Sequence, residues 1–376
     1  MLPAVFLLGV FSIGSATSTS PAALLVTRYF AGLFGSAPVS NVSAALGDIF
    51  HMRARGIAST SYAVCVVGGP TMGPIIGAAL LTNPRLGWRW TEYIEAIVVF
   101  AIVVLTFFCL PEMYAPVLLQ RRAARLRKET GNSQLYHPHE HLQLDARSIL
   151  TKHLARPLVM LVSEPMVTVI SLYAAFTYAL LYLTLEVFPI VFEEIRGWAP
   201  VDSTLPFLGL FVGVLLSSLF IICVGQPYYI RKFDSGGGRP VPEARLMPMA
   251  VGGFFFAGGL FWFGWTASPP ISPASPIVAA VVFGCGFCIV FGQCINFLVD
   301  TYGPYAASAT ASATFLRSVL AAAFPLFSQP MFRRLGVGSA MSVLGGIATL
   351  AVPVPFLFMI YGKRLRKMSK FAPFNG

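Results

Sequence analysis

From Met1 onward the chain alternates between long apolar runs and short polar, mostly basic connections. A helix needs about 20 predominantly apolar residues to cross the hydrocarbon core of a bilayer. Ten runs approach or exceed that length: 1–17, 22–47, 57–81, 90–110, 164–190, 204–226, 247–266, 274–298, 305–327 and 337–361. Within them the apolar residues are continuous rather than alternating. That predicts helices and disfavours the period-two pattern of a membrane β-barrel. Gly and Pro interrupt many of the runs, which a membrane helix tolerates because neighbouring spans re-satisfy the backbone. The longest polar stretch, about 111–163, divides four runs from six. The expected fold is therefore an all-α integral membrane protein of about ten transmembrane helices in two bundles. Residues 1–110 would form the first bundle, 111–163 a cytosolic linker, 164–361 a six-helix bundle and 362–376 a basic cytosolic tail.

Composition sharpens this picture. Hydrophobic residues make up 56% of the 376 residues and charged ones 11%, against about 25% charged in soluble domains. The mean hydropathy is +0.74, too apolar for a water-facing surface. A net charge of +11 raises the question of nucleic acid. However, the basic residues sit in short clusters between apolar runs, as they do beside anionic membrane surfaces, so no nucleic-acid partner is expected. The six cysteines lie in or beside apolar segments, which argues against a disulfide framework. Residues 1–16 lack the positive start and cleavage site of a secretory signal.

Orientation follows from Lys and Arg. With the N-terminus inside, nineteen of the 26 basic residues fall in inner loops and the tail. The outer loops hold Arg85, Arg89, Arg196, Arg333 and Arg334, and Arg28 and Arg317 lie within spans. This asymmetry obeys the positive-inside rule and places both termini in the cytosol. The linker opens with the basic piece from Gln120 to Lys128. It reads either as an amphipathic segment on the inner membrane face or as a solvated loop.

Several stretches carry a family resemblance. The third run contains Gly68-Gly69-Pro70-Thr71-Met72-Gly73-Pro74-Ile75-Ile76-Gly77-Ala78. Gly69, Gly73 and Gly77 form one small-residue face that permits close helix packing, and the two prolines favour a bend. The full pattern resembles the antiporter motif of major facilitator drug:proton antiporters. The second run, Leu24-Leu25-Val26-Thr27-Arg28-Tyr29-Phe30-Ala31-Gly32, resembles the same superfamily's motif in which an arginine is linked to proton coupling. Gly87-Trp88-Arg89-Trp90-Thr91-Glu92, Leu110-Pro111-Glu112, Arg239-Pro240-Val241-Pro242-Glu243-Ala244-Arg245-Leu246 and Thr314-Phe315-Leu316-Arg317-Ser318 resemble fungal multidrug-type members. The resemblance covers nearly the whole chain and implies the major facilitator fold. It departs from the family in one respect: aligning the motifs makes the first run here the family's third span. The first bundle would thus hold family spans three to six, and the family's first two spans and the Asp-Arg-Gly-Arg loop after them would have no counterpart.

The candidate working residues are few. Arg28, if buried, needs a partner in the bundle interior; near the end of its span it would instead snorkel to water. Glu186 in the fifth run is a candidate proton carrier or cation partner, unless it simply reaches water at the outer end. Arg317 would pair with a carboxylate, either on a neighbouring helix or on an anionic solute. Asp48 and Asp300 read as helix-end or gate contacts. Glu92 and Glu95 begin a span beside Trp88 and Trp90, whose aromatic rings suit the membrane interface. Phe176, Tyr178, Tyr182, Gln293 and Asn296 are candidate cavity-lining residues, since aromatics in an apolar pocket suit amphipathic solutes.

Other signals point nowhere. His137-Pro138-His139-Glu140-His141 lacks the helical i, i+4 histidine pair of a zinc site. Cys285 and Cys288 have redox spacing but lie in an apolar run, where packing explains them. The sequon at Asn41 is inside a span. No phosphate-binding Gly-x-x-x-x-Gly-Lys-Ser/Thr loop occurs, nor a Gly-x-Ser-x-Gly elbow. No metal, cofactor or enzymatic activity is expected. The expected activity is proton-coupled efflux of drug-like or secondary-metabolite molecules by alternating access, with lipid, solute and protons as partners. Plasma membrane is the expected location, with vacuolar membrane as the other option. The alternative is a truncated, transport-inactive protein of the same fold.

Overall fold

The structure is a computed structural model that describes residues 1–50, 52–113, 115–132, 135–136, 155–238 and 240–372. The histidine cluster at 137–141, with residues 114, 133–134 and 137–154 of the 111–163 stretch, Arg239 and the side chain of Asp48 lie outside the described residues. The described chain is helical almost throughout. In order, α1 is Leu2–Ala16, α2 Pro21–Ile49, α3 Met52–Leu81, α4 Arg89–Cys109 and α5 Ala115–Thr130. Then follow α6 Arg156–Ser163, α7 Pro165–Pro189, α8 Pro206–Phe220, α9 Gln226–Ser235 and α10 Leu246–Thr266. The last four are α11 Ala274–Tyr302, α12 Ala306–Leu335, α13 Val337–Ala351 and α14 Pro353–Met368.

Eight helical stretches among these are long and apolar enough to cross a membrane. One of them, Ala274–Leu335, contains both α11 and α12, joined by a 3-10 turn at Gly303–Tyr305. α1 is a shorter apolar helix. Counted this way, the ten apolar runs of the sequence are all helical, and the protein is a multi-pass integral membrane protein. The basic piece from Gln120 to Lys128 is part of helix α5 rather than an irregular loop.

Proline and glycine set many boundaries. A residue before proline is pushed out of the helical region. Glu164 accordingly has φ −112 and ψ 100, which ends α6 and lets Pro165 open α7. Pro21 opens α2 behind Ser20, whose side chain accepts the Ala23 amide at 3.2 Å. Gly336, at φ +74, ends α12. Internal prolines, by contrast, do not stop the helices: Pro70 and Pro74 lie inside α3 and Pro325 and Pro330 inside α12. The last turns of the spans begun by α7 and α8 loosen into π-helical segments, Ile190–Ile195 and Ile221–Gly225.

The chain divides into two compact units. The first comprises 1–59 and 79–146, and in it α1 packs against both α2 and α4. The second comprises 60–78 and 147–376. Its framework is α7, α8, α10, α11, α12 and α13, with α10 against α11, α7 against α12, and α8 against α11. Lipid tails are as apolar as leucine, so close packing rather than the hydrophobic effect holds such helices together. The packing is glycine-mediated. A Cβ on Gly286 would lie 2.2 Å from the Phe256 backbone nitrogen, and one on Gly213 2.3 Å from the Val281 carbonyl oxygen. Aromatic rings fill the layer beyond, with Phe188 4.6 Å from Phe207 and 5.3 Å from Phe263 between ring centres.

Candidate functional site

In the second unit α7, α11 and α12 converge on Arg317. Tyr178 and Tyr182 lie one turn apart on α7, so they share a face, and their hydroxyls are 3.5 Å apart. Phe287 and Phe291 have the same spacing on α11 and stack with centres 5.8 Å apart. From α12, the Arg317 guanidinium sits 4.4 Å from the Tyr178 ring centre and 5.4 Å from that of Phe291. Cations favour the negative faces of aromatic rings, more so where water is excluded. The Arg317 Nε is nonetheless buried with no hydrogen-bond acceptor among the described residues. A buried donor left unpaired is costly. The cluster thus offers a strong, oriented donor beside flat aromatic surfaces. Phe176, further along α7, contacts Phe324 of α12.

Glu186 lies two turns beyond Tyr178, near the end of α7. It is half-buried and accepts a hydrogen bond from Gln329 of α12 at 2.9 Å. Nothing in the residue pattern singles out Gln329. Gln293 and Asn296 do not join the Arg317 cluster. At about 100° per residue, Gln293 lies roughly 200° around α11 from Phe291, and Asn296 about 140° from it. Gln293 is 1% exposed, and its Oε1 has no partner among the described residues.

In the first unit, Arg28 of α2 pairs with Glu92 of α4. The expected partner exists, but the burial is unequal: the Glu92 side chain is 5% exposed and that of Arg28 60%. An exposed guanidinium thus neutralises a buried carboxylate. Glu95, a turn further along α4, is within electrostatic reach of both.

Asp300 ends α11 and takes a hydrogen bond from Arg245 Nε at 2.9 Å. Arg245 also donates to Gln226 at 3.4 Å and lies 3.5 Å over the Tyr229 ring. Both partners of the ion pair are at least nine-tenths buried. This fits the helix-end role expected of Asp300. Glu164 is a second buried carboxylate at the same end of the bundle, and sequence reading missed it. Its position before proline at the start of an apolar run was the available signal.

The glycine face of α3 behaves differently from its expectation. A Cβ on Gly69, Gly73 or Gly77 would meet no described atom within 4 Å. The neighbouring Gly68 does have a close contact, the Phe211 ring at 3.2 Å. The close helix packing that a small-residue face permits is realised instead on α8, α10 and α11, because there the glycines face helix backbones. An open groove of about 480 Å³ runs between α1 and α4 in the first unit and is lined by apolar residues such as Phe6, Leu7, Val104 and Phe107. It contains no group suited to chemistry.

Residues 1–325 match the family described as the Major Facilitator Superfamily. The chain is 42% identical over 366 residues to an uncharacterized transporter of Schizosaccharomyces pombe, covering 97% of this chain and 63% of that protein. It is 40% identical over 374 residues to the major facilitator superfamily multidrug transporter FLU1 of Candida albicans, covering 99% of this chain and 61% of that one. It is 41% identical over 368 residues to the efflux pump bik6 of Gibberella fujikuroi, covering 98% and 75%. The chain thus spans less than two thirds of the length of the first two. Among solved structures, the proton:xylose symporter XylE superposes with a TM-score of 0.64 at 16% identity, over 95% of this chain and 79% of that one. The human organic anion transporter MFSD10 gives 0.59 at 18%, over 94% and 76%. At such identities the likeness is one of fold alone.

Proposed function

The chain belongs to the major facilitator superfamily, and from that premise we propose that it exports amphipathic, drug-like or secondary-metabolite solutes in exchange for protons, by alternating access. Relatives about 40% identical carry the names multidrug transporter and efflux pump, which favours export over uptake or enzymatic turnover. The observation that carries the solute class is the Arg317 cluster: a cation between aromatic faces with one buried donor unpaired. An oxygen acceptor on a flat, mostly apolar solute would satisfy that donor, and Tyr178 and Phe291 would stack on the rest.

The proposed division is a first bundle over 1–110 and a second over 164–361, joined by a cytosolic linker at 111–163 and followed by the basic tail from 362. Sites in transporters of this kind lie at the bilayer midplane, where bundles move against one another. Glu186 is the proposed proton carrier, with Gln329 donating to its charged form. The Arg28–Glu92 pair is the second coupling element. The face of Gly69, Gly73 and Gly77 in α3, with Pro74 beside it, is proposed as a pivot, because a Cβ on any of these glycines would meet no described atom within 4 Å. Lipid, protons and a small solute are the proposed partners, nucleic acid is not, and plasma membrane is the proposed residence ahead of the vacuolar membrane.

The reading is tested by loading cells that produce the protein with a fluorescent amphipathic solute and following its loss. Faster loss than in control cells, abolished by a protonophore, supports the proposal. Loss unaffected by the protonophore overturns the coupling, and loss equal to that of control cells overturns export.

A further inference from the structure

The end of the described chain is fastened to the bundle by a set of bonds that the transport reading does not use. α14 stops at Met368, and Ser369 turns extended at φ −73, ψ 139. The Ser369 Oγ accepts the amides of Phe371 at 3.2 Å and Ala372 at 3.0 Å. The intervening Lys370 amide donates to Glu164 Oε1 at 2.9 Å. Glu164 is 2% exposed, and its other oxygen accepts the Tyr302 hydroxyl at 3.2 Å. Tyr302 also interacts with the Ser369 side chain. Phe371 meets the Tyr305 ring edge-on at 5.5 Å, and Ala372 is 4% exposed. Two amides thus fold residues 369–372 onto the Ser369 hydroxyl, while the Lys370 amide on buried Glu164 and the Phe371 ring on Tyr305 hold the segment against the start of α7 and the turn after α11.

The sequence before the clasp is Lys363-Arg364-Leu365-Arg366-Lys367-Met368-Ser369. Kinases that select basic substrates read charge at fixed offsets from the acceptor hydroxyl, and here an arginine stands three residues before a partly exposed serine. We propose that Ser369 is a phosphorylation site for a basophilic serine kinase, and that its phosphate releases the 369–372 clasp. In the transfer, Ser369 Oγ bonds to the γ-phosphorus of ATP as the bond to the β–γ bridging oxygen breaks. ADP leaves, and the hydroxyl proton passes to the kinase's base. Arg366 is paired with Glu243 at 2.6 Å, so the last turn of α14 must fray for the kinase to grip it. Helix ends open at low free-energy cost, and the exposed Arg364 and Lys367 offer the first contacts.

Three features make the phosphate disruptive where it sits. It adds up to two negative charges at a helix C-terminus, next to a carboxylate, and both placements are repulsive. It also fills the space in which Oγ accepts the two amides. The cations that would oppose these effects are Arg364, Arg366, Lys367 and Lys370 of the tail itself, and Arg156, 5.3 Å over the Tyr305 ring. The inference rests on the tail lying in the cytosol, as the distribution of basic residues implies.

The test uses the purified chain in detergent, incubated with Mg-ATP and a basophilic serine kinase active on a control peptide. Tandem mass spectrometry locates the phosphate, and hydrogen exchange follows the amides of residues 370–372. The expected result is phosphate on Ser369, absent from Ser369→Ala, and about tenfold faster exchange of those amides in the phosphorylated protein. No phosphate on Ser369 overturns the site. Phosphate on Ser369 with unchanged exchange overturns the release.

Discussion

Arg317 shows how a single residue can be visible in sequence while its neighbours are not. A charge inside an apolar run marks it as functional, and an ion pair with a carboxylate was one expected use of it. Its neighbours are instead the rings of Tyr178 and Phe291. Spacing along one helix reveals Tyr178 with Tyr182, but it cannot reveal which residues of α11 and α12 meet them. For the same reason spacing does not show that Gln293 and Phe291, both on α11, face different neighbours. Arg317→Ala should lower export at least about tenfold without loss of protein from the membrane, since it removes a charge-assisted contact. Arg317→Lys should recover only part, because an ammonium lacks the planar fork that stacks on rings. Equal export by both variants and the parent protein, measured at equal surface abundance, would remove Arg317 from the solute site.

The ion pairs separate by burial in the same way. Arg245 and Asp300 are nine-tenths buried, whereas Arg333 and Glu194 are 63% and 52% exposed at 3.3 Å. Breaking a buried pair leaves an uncompensated charge and costs about 3–5 kcal/mol, while an exposed pair contributes under about 1 kcal/mol. Arg245→Ala should therefore lower the thermal unfolding midpoint of the purified protein strongly, and Arg333→Ala hardly at all. Similar small shifts for both would mean that the Arg245 environment is wetter than its burial indicates.

At the scale of elements, apolar runs and prolines located the spans well, because length against bilayer thickness and the fixed proline ring are local properties. Which helix faces touch is not local. The glycine pattern of α3 is the most conspicuous in the chain, yet the tight approaches are made by Gly213, Gly259 and Gly286. Gly286→Ala forces a Cβ against the Phe256 backbone, where neither helix has a flexible side chain to move. It should cost about 1–3 kcal/mol or more, seen as lower yield and an earlier melting transition. Gly73→Ala meets no described atom within 4 Å and, by helix propensity, should leave stability equal or slightly higher. If α3 is a pivot, that same variant slows export while folding normally. Normal export by Gly73→Ala would leave the pivot proposal without support.

For the molecule as a whole, fold class was the most legible level. Hydropathy and charge asymmetry are summed over hundreds of residues and tolerate local error. Direction of transport and coupling ion are the least legible, since they depend on small differences between two conformations of the same contacts. Proton coupling is accordingly the central claim, and Glu186 is the group proposed to carry it. The most direct measurement uses the protein reconstituted in liposomes with an amphipathic fluorescent solute, with and without an imposed proton gradient. Solute should move against its own gradient when protons flow the opposite way. Glu186→Gln should remove that gradient-driven movement while leaving downhill exchange. Movement that ignores the proton gradient in the parent protein, or a Glu186→Gln variant that still concentrates solute, would contradict the account.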